Sequence, residues 1–170
     1  MRRPAAPADR RLVAVCLTAV VLSVIAALVA GAVWLTREAT DEGERIVVEE
    51  AAAAAVGELM TFAPDDDRSA RVAVADRLTG SLAADYLTRG PDLVFPGATA
   101  SQLTMATTVV DVGVTELVPR RARALVFADQ AISTPGTAGE PERIAVVRWA
   151  TMTKHGDRWL LTRLETVAAR

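Results

Sequence analysis

The sequence predicts a membrane-anchored α+β protein, in which a single N-terminal transmembrane helix precedes helices packed on one face of an antiparallel sheet of about four strands. Three observations lead to this prediction. Residues 12–36 carry no charge. Apolar residues then recur at helical spacing as far as Gly90, and from Ala106 onward they alternate with a period of two.

The uncharged segment is long enough to span a bilayer, because about 20 apolar residues cross the hydrocarbon core. A cleavable signal peptide is the alternative, since Ala30-Gly31-Ala32 resembles a small-residue cleavage site. The apolar region before that site is longer than the usual ~7–15 residues, which favours the anchor. The predicted anchoring side chains are Leu12, Leu17, Leu22, Ile25, Leu28, Trp34 and Leu35.

Charges on either side of this segment predict its orientation. Arg2, Arg3, Arg10 and Arg11 precede it, whereas acidic residues follow Arg37. The positive-inside rule therefore places residues 1–11 in the cytoplasm as a short stub. We expect a single-pass protein of the plasma membrane, with its C-terminal domain outside the cytoplasm and the lipid bilayer as its first partner.

Composition argues against several classes of function. Residues 1–36 hold four Arg and one Asp, so their removal leaves 15 basic and 20 acidic residues, a formal charge of −5. Such a domain has no general attraction for phosphates, and we expect no nucleic-acid partner. The only Cys and the only His, Cys16 and His155, supply neither a disulfide nor a zinc cage. We therefore expect no metal, no cofactor and no catalytic residues.

Residues 37–62 are rich in Ala and Glu and predict a helix, either a stalk that leaves the membrane or the first helix of the exported domain, interrupted at Gly43. We expect it to pack on the α+β domain formed by residues 63–170. Its apolar residues at helical spacing are Ile46, Val47, Ala51, Ala54, Ala55, Leu59 and Phe62.

Three consecutive acidic residues, Asp65, Asp66 and Asp67, follow Ala63-Pro64. Carboxylates suit Ca²⁺, but no EF-hand spacing follows them, so we interpret them as the N-terminal cap of a helix that ends at Gly80. The segment SLAADYLTR predicts a further helix that ends at Gly90-Pro91. Residues 91–102 predict a loop whose apolar side chains, Leu93, Val94 and Phe95, enter the core.

The second half of the chain predicts four strands. In the first, Ala106, Thr108, Val110, Val112 and Val114 alternate with polar residues and predict one buried face. The next three strands lie in ARALVFADQAIS, RIAVVRWATMTK and RWLLTRLETV, and His155-Gly156-Asp157 predicts the last turn. Trp159, in the fourth strand, is expected in the core.

Three short motifs carry a family resemblance: Leu-Thr-Gly at residues 78–80, Arg-Ala-Leu-Val at 123–126 and Gly-x-x-Trp-Leu at 156–160. Together with the basic stub, the membrane segment and the Ala-rich helix, they make most of the chain resemble the Mce-associated membrane proteins of actinobacteria. The resemblance implies a cone-shaped exported domain similar to VirB8-like conjugation proteins and to the NTF2-like group. It also implies an accessory role in stabilising Mce lipid-import machines, with Mce and permease subunits as partners, and no catalytic residues.

An NTF2-like cone can also enclose a pocket, which keeps an enzyme or a lipid binder open as an alternative. Tyr86, Asp111, Asp129 and Arg148 are the pocket candidates, because a desolvated carboxylate can act as a base. Arg148 stands in register with apolar residues, and we favour the structural explanation that it pairs with a carboxylate on a neighbouring strand or lies on the exposed face of the sheet. We favour a non-catalytic scaffold, with a VirB8-like subunit of a conjugation or secretion channel as the main alternative.

Overall fold

The computed structural model describes Ser23 and residues 42–136 and 140–167. The chain divides into two compact units, residues 1–43 and 44–170, and the second is described below. The predicted cytoplasmic stub and transmembrane helix lie outside the described residues, apart from Ser23. Within the described part, no helix combines the length and hydropathy needed to cross a membrane.

Helix α1 is described over residues 42–59, so the predicted interruption at Gly43 is wrong, and from residue 44 onward the helix buries one face against the sheet. Ile46 and Val47 were predicted on the apolar face, yet both are about half exposed. The buried face of α1 is rotated relative to the predicted one. The run of alanines that follows is compatible with any side of a helix, so it does not indicate which side is buried. The buried residues recur every three or four positions: Val48, Ala52, Ala55, Val56 and Leu59.

After α1 the chain pairs with one edge of the sheet, forms a short helix, pairs with the other edge and then forms a second short helix. Phe62 forms an isolated antiparallel bridge with Met105 in the first strand. Helix α2, Arg68–Ala75, begins after Asp67, whose side chain accepts a hydrogen bond from the Ala70 N–H. The predicted capping role of the acidic triplet is thus confirmed at its third residue.

The predicted end of α2 at Gly80 is wrong, because the chain leaves the helix after Ala75 to pair with the sheet. The Thr79 N–H donates to the Leu161 carbonyl, and the Leu161 N–H donates to the Arg77 carbonyl, both at 2.9 Å. Helix α3, Gly80–Arg89, follows at once, and a 3₁₀ turn, Gly90–Leu93, ends it at the predicted place.

The four predicted strands form one antiparallel sheet in the order β1-β2-β3-β4. Their bounds are β1 Thr104–Val118, β2 Arg121–Ser133, β3 Glu142–His155 and β4 Arg158–Thr166. Strand β2 shows the clearest two-faced pattern, because every even-numbered residue from Ala122 to Gln130 is buried and its odd-numbered neighbours are exposed or half-buried. We call the buried side the inner face and the opposite side the outer face.

Strand β1 departs from the regular alternation that the sequence predicts. The pairing register with β2 shifts between Val109 and Asp111 and again between Val114 and Glu116. Each bulge inserts an extra residue and reverses which residues point inward. Ala106, Thr108 and Val110 were predicted on the buried face, but all three are exposed. Ala106 and Thr108 precede the bulges and pair with outer-face residues of β2, whereas Val110 occupies the first bulge and is 64% exposed.

The main core lies between α1, α3 and the inner face of the sheet. On the sheet it combines small residues, such as Ala122, Ala124 and Ala150, with larger ones, such as Met152 and Leu161. Trp159 is buried there, as predicted. A second, smaller cluster joins Phe62, Ala98 and Met105 at the other end of the unit.

Candidate functional site

The four pocket candidates from the sequence lie in three different places. Asp111 and Asp129 are exposed on the outer face, Arg148 lies half-buried on the inner face, and Tyr86 is buried in α3. The structure does not bring them together around one cavity. Asp111 accepts a hydrogen bond from the Val112 N–H next to it, which is an ordinary local contact at a bulge.

Arg148 extends over the inner face opposite Val126 and Thr166. Its guanidinium donates to the Val147 carbonyl at 3.2 Å, and no carboxylate in the described part of the chain pairs with it. Burial lowers the pKa of this guanidinium from its ordinary value. The expected ion pair with a neighbouring strand is therefore not formed by described residues.

Tyr86 borders a cavity of about 200 Å³ between α2, α3 and the loop after the 3₁₀ turn. Arg71 from α2 and Asp66 from the preceding turn border it as well, together with apolar residues such as Phe62 and Leu103. Burial raises the pKa of the Tyr86 hydroxyl, and the Asp66 carboxylate raises it further, while Arg71 acts in the opposite direction. The hydroxyl therefore stays protonated at neutral pH and can donate a hydrogen bond.

Sequence reasoning singled out Tyr86 but missed Arg71 as a partner. The two are brought together because α2 and α3 pack against each other, a tertiary relationship that no local pattern reveals. Gly90 was the one available signal: a glycine that ends a helix can also admit a close neighbour, and Arg71 packs against it.

A wider, open groove of about 890 Å³ runs between α1 and α2. Small residues such as Ala53, Gly57 and Ala73 line part of it, and Glu58 and Arg77 belong to its charged lining. These two charged residues form an ion pair with 2.5 Å between Nε and Oε2. The groove is thus a shallow surface on which charged side chains of both signs stand among small residues.

The exposed apolar side chains of the strands lie mainly on the outer face of the sheet. Phe127 in β2 is 40% exposed and lies opposite Val147 in β3, while Val110 projects from the bulge in β1. Leu125 and Trp149 form the next pair on the same face of these two strands, two residues away from Phe127 and Val147. No helix among the described residues covers this face, since the buried sheet residues that pack on the helices lie on the inner face. We call Val110, Leu125, Phe127, Val147 and Trp149 the outer patch.

Known proteins resemble this chain in sequence and in fold. An outer membrane protein of Mycobacterium tuberculosis, found in two strains, is 27% identical over 113 residues, which cover 64% of this chain and 67% of the relative. No family model matches the chain.

Two solved structures share the architecture. An IcmL-like type IV secretion system protein from Legionella pneumophila has a TM-score of 0.54 and 12% identity, and the match covers 74% of this chain and 95% of that one. TraH from a Gram-positive conjugative plasmid has a TM-score of 0.51 and 8% identity, with 74% and 94% covered. At such low identity the likeness shows the fold alone: helices packed on a four-stranded antiparallel sheet, as the sequence predicted.

Proposed function

We propose that this chain is a non-catalytic, membrane-anchored accessory subunit that stabilises an Mce-type lipid-import complex. The observation that carries the proposal is the outer patch, an apolar surface on a small domain that its own described helices leave uncovered. The sequence resemblance to Mce-associated membrane proteins and the relative named as an outer membrane protein support a membrane setting. In this proposal the partners are Mce and permease subunits.

The proposed arrangement has residues 1–11 in the cytoplasm, a helix at residues 12–36 in the plasma membrane and a VirB8-like or NTF2-like cone outside. It rests on the four N-terminal arginines and on the uncharged segment that follows them. A reporter enzyme that is active only outside the cytoplasm, fused after Arg170, should be active. Activity of a cytoplasm-only reporter at the same position would contradict this topology.

A non-catalytic role is supported by the separation of the candidate side chains. Acid–base catalysis needs groups that converge on one reacting atom. Asp111 and Asp129 lie on the outer face of the sheet, whereas Tyr86 is buried in helix α3. We expect Asp111→Asn and Asp129→Asn to preserve function in a complementation assay. Loss of function in either variant at an unchanged protein level would favour the enzyme alternative.

Affinity purification from the native membrane tests the partner directly. The tagged full-length protein should recover Mce and permease subunits, and Phe127→Glu should lose them because a charge then lies at the centre of the outer patch. Leu87→Glu is the matched control, since Leu87 is 51% exposed on α3, away from the sheet. Equal recovery by both variants would show that the outer patch is not the partner surface.

A subunit of a conjugation or secretion channel is the second candidate. The fold shared with the IcmL-like secretion protein and with TraH favours it. The same purification separates the two candidates, because it would then recover channel components in place of lipid-import subunits. Deletion of the gene should lower the abundance of whichever subunits are recovered, as expected of a stabilising accessory protein.

A further inference from the structure

The cavity beside Tyr86 contains a positive charge that the described part of the protein leaves without a partner. The Nε atom of Arg71 is buried and makes no hydrogen bond with any described residue. No described carboxylate forms an ion pair with its guanidinium group. Buried donors are normally satisfied, so an unpaired one at a cavity wall indicates the place of an acceptor supplied from outside.

Packing of the guanidinium group leaves its hydrogen-bonding edge free. A Cβ atom placed on Gly90 would lie 3.6 Å from Nε, Cζ and Nη1 of Arg71 alike. Equal distances to these three atoms mean that the flat face of the guanidinium group packs against Gly90. Its N–H bonds lie in the plane of the group, so this contact fixes the orientation of Arg71 without using its donors.

The acidic side chain that borders the same cavity, Asp66, already accepts a hydrogen bond from the backbone. The Ala63 N–H donates to its Oδ2 atom at 2.7 Å. The Asp66 charge nevertheless repels anions at that wall and disfavours a doubly charged ligand. A single negative charge placed at Arg71, with the Tyr86 hydroxyl as an additional donor on the lining, matches this arrangement.

Apolar side chains share the rest of the lining with Thr61, Thr99 and Gln102, and the space is small. Phe62, Pro91, Ala98 and Leu103 contribute hydrocarbon surface to the cavity. Its volume of about 200 Å³ lies below the ~300–1,000 Å³ typical of sites for drug-sized ligands. A compact apolar body with one charged end fits these limits, and a long acyl chain does not.

We propose that the cavity formed by Arg71, Tyr86 and the apolar residues around them is a binding site for a small apolar monocarboxylate. The carboxylate binds the guanidinium group of Arg71 in the bidentate geometry that such groups prefer. The apolar body lies against Phe62 and Leu103. This site is separate from the outer patch, so it stands or falls independently of the accessory role proposed above.

Benzoate is a suitable probe, and benzamide is its neutral counterpart of nearly the same shape. We would titrate each into the ¹⁵N-labelled full-length protein in a mild non-ionic detergent and follow the side-chain Nε–H resonance of Arg71 by NMR. Benzoate should shift this resonance with a Kd of about 1 mM, as expected for a ligand of this size. Benzamide should bind about tenfold more weakly or worse, because it lacks the charge.

Variants separate this site from general anion binding. Arg71→Gln should weaken benzoate binding about tenfold or more, followed through the backbone amide of Tyr86, whereas Arg68→Gln, at an exposed arginine of the same helix, should leave it unchanged. If Arg71→Gln does not fold, Arg71→Lys keeps the charge but loses the fork and should still weaken binding. The proposal is overturned if the wild-type protein does not bind benzoate, if benzamide binds equally well, or if the Arg68 variant loses binding as strongly as the Arg71 variant.

Discussion

Arg123 lies over the indole ring of Trp149, with its Cζ atom 4.2 Å from the ring centroid. The two residues belong to neighbouring strands, β2 and β3, and both project from the outer face. This contact covers part of a tryptophan that no described helix shields. It also places a positive charge at the margin of the outer patch, so a partner that docks there meets a cation next to apolar side chains.

We predict a measurable coupling between these two residues. A double-mutant cycle with Arg123→Gln and Trp149→Leu should give a coupling free energy of about 0.5–1 kcal/mol in chemical denaturation, the usual size of an exposed cation–π contact. Arg121→Gln is the control, because Arg121 lies on the same face of β2 but faces Thr153. Coupling of Trp149 to Arg121 as large as to Arg123 would mean that the effect is not specific to the stacked pair.

Trp159 should be sensitive to size but insensitive to loss of its N–H group. It is buried in the main core, and its Nε1 atom has no hydrogen-bond partner among the described residues. Trp159→Ala should lower the free energy of unfolding by about 3–5 kcal/mol through the cavity it leaves. Trp159→Phe should cost less than about 1.5 kcal/mol, since it keeps an aromatic ring and removes an unsatisfied donor. Equal costs in urea denaturation would indicate that the indole N–H has a partner.

Two glycines should respond to alanine in opposite directions. Gly90 has φ +59° and ψ −140°, a conformation that side chains resist, so Gly90→Ala should destabilise the protein by about 1–3 kcal/mol. Gly113 lies in β1 with open space around its Cα and no positive φ. Gly113→Ala should therefore be neutral or stabilise by up to about 1 kcal/mol through the unfolded chain. Denaturation curves measure both, and a neutral Gly90→Ala would contradict the assigned backbone strain.

The sequence predicted the elements that depend on local patterns, but it did not predict which face of an element is buried where that depends on contacts with other segments. Strand β2 was predictable as a strand from its apolar run, residues 125–128, which the sequence suggested would be largely buried. Its two-faced burial was not predictable, since Phe127 in that run is 40% exposed and only the even-numbered residues face the core. Strand β1 was predictable as a strand, but not in its facing, because a bulge at Val110 depends on how two strands pair. The buried face of α1 was unpredictable for a different reason: alanine satisfies either side of a helix.

The candidate cavity shows the same limit more sharply. Tyr86 was visible as an apolar residue with a polar end on a short helix. Gly90 was visible only as a helix end and Arg71 not at all, because their contact across 19 residues of chain exists only after α2 and α3 pack. Conversely, the candidates Asp111 and Asp129 attracted attention for their charge, yet both remain on the outer face.

Asp67 should make stability depend on pH in the acid range. Its pKa is lowered from the ordinary 3.8, chiefly by the Ser69 hydroxyl, which donates to Oδ1 at 2.6 Å, and next by the Ala70 N–H at 2.9 Å. A carboxyl group whose pKa is lower in the folded state stabilises the protein above its unfolded pKa and loses that effect as pH falls through the folded pKa. The difference in denaturation midpoint between the wild type and Asp67→Asn should thus shrink from about pH 5 to pH 2 at low salt. Asn at this position still accepts the capping hydrogen bond, which makes the comparison one of charge alone.

Ser69→Ala should raise the Asp67 pKa toward 3.8 in an NMR titration, and an unchanged pKa would show that the Ser69 hydroxyl is not the main cause of the lowered pKa.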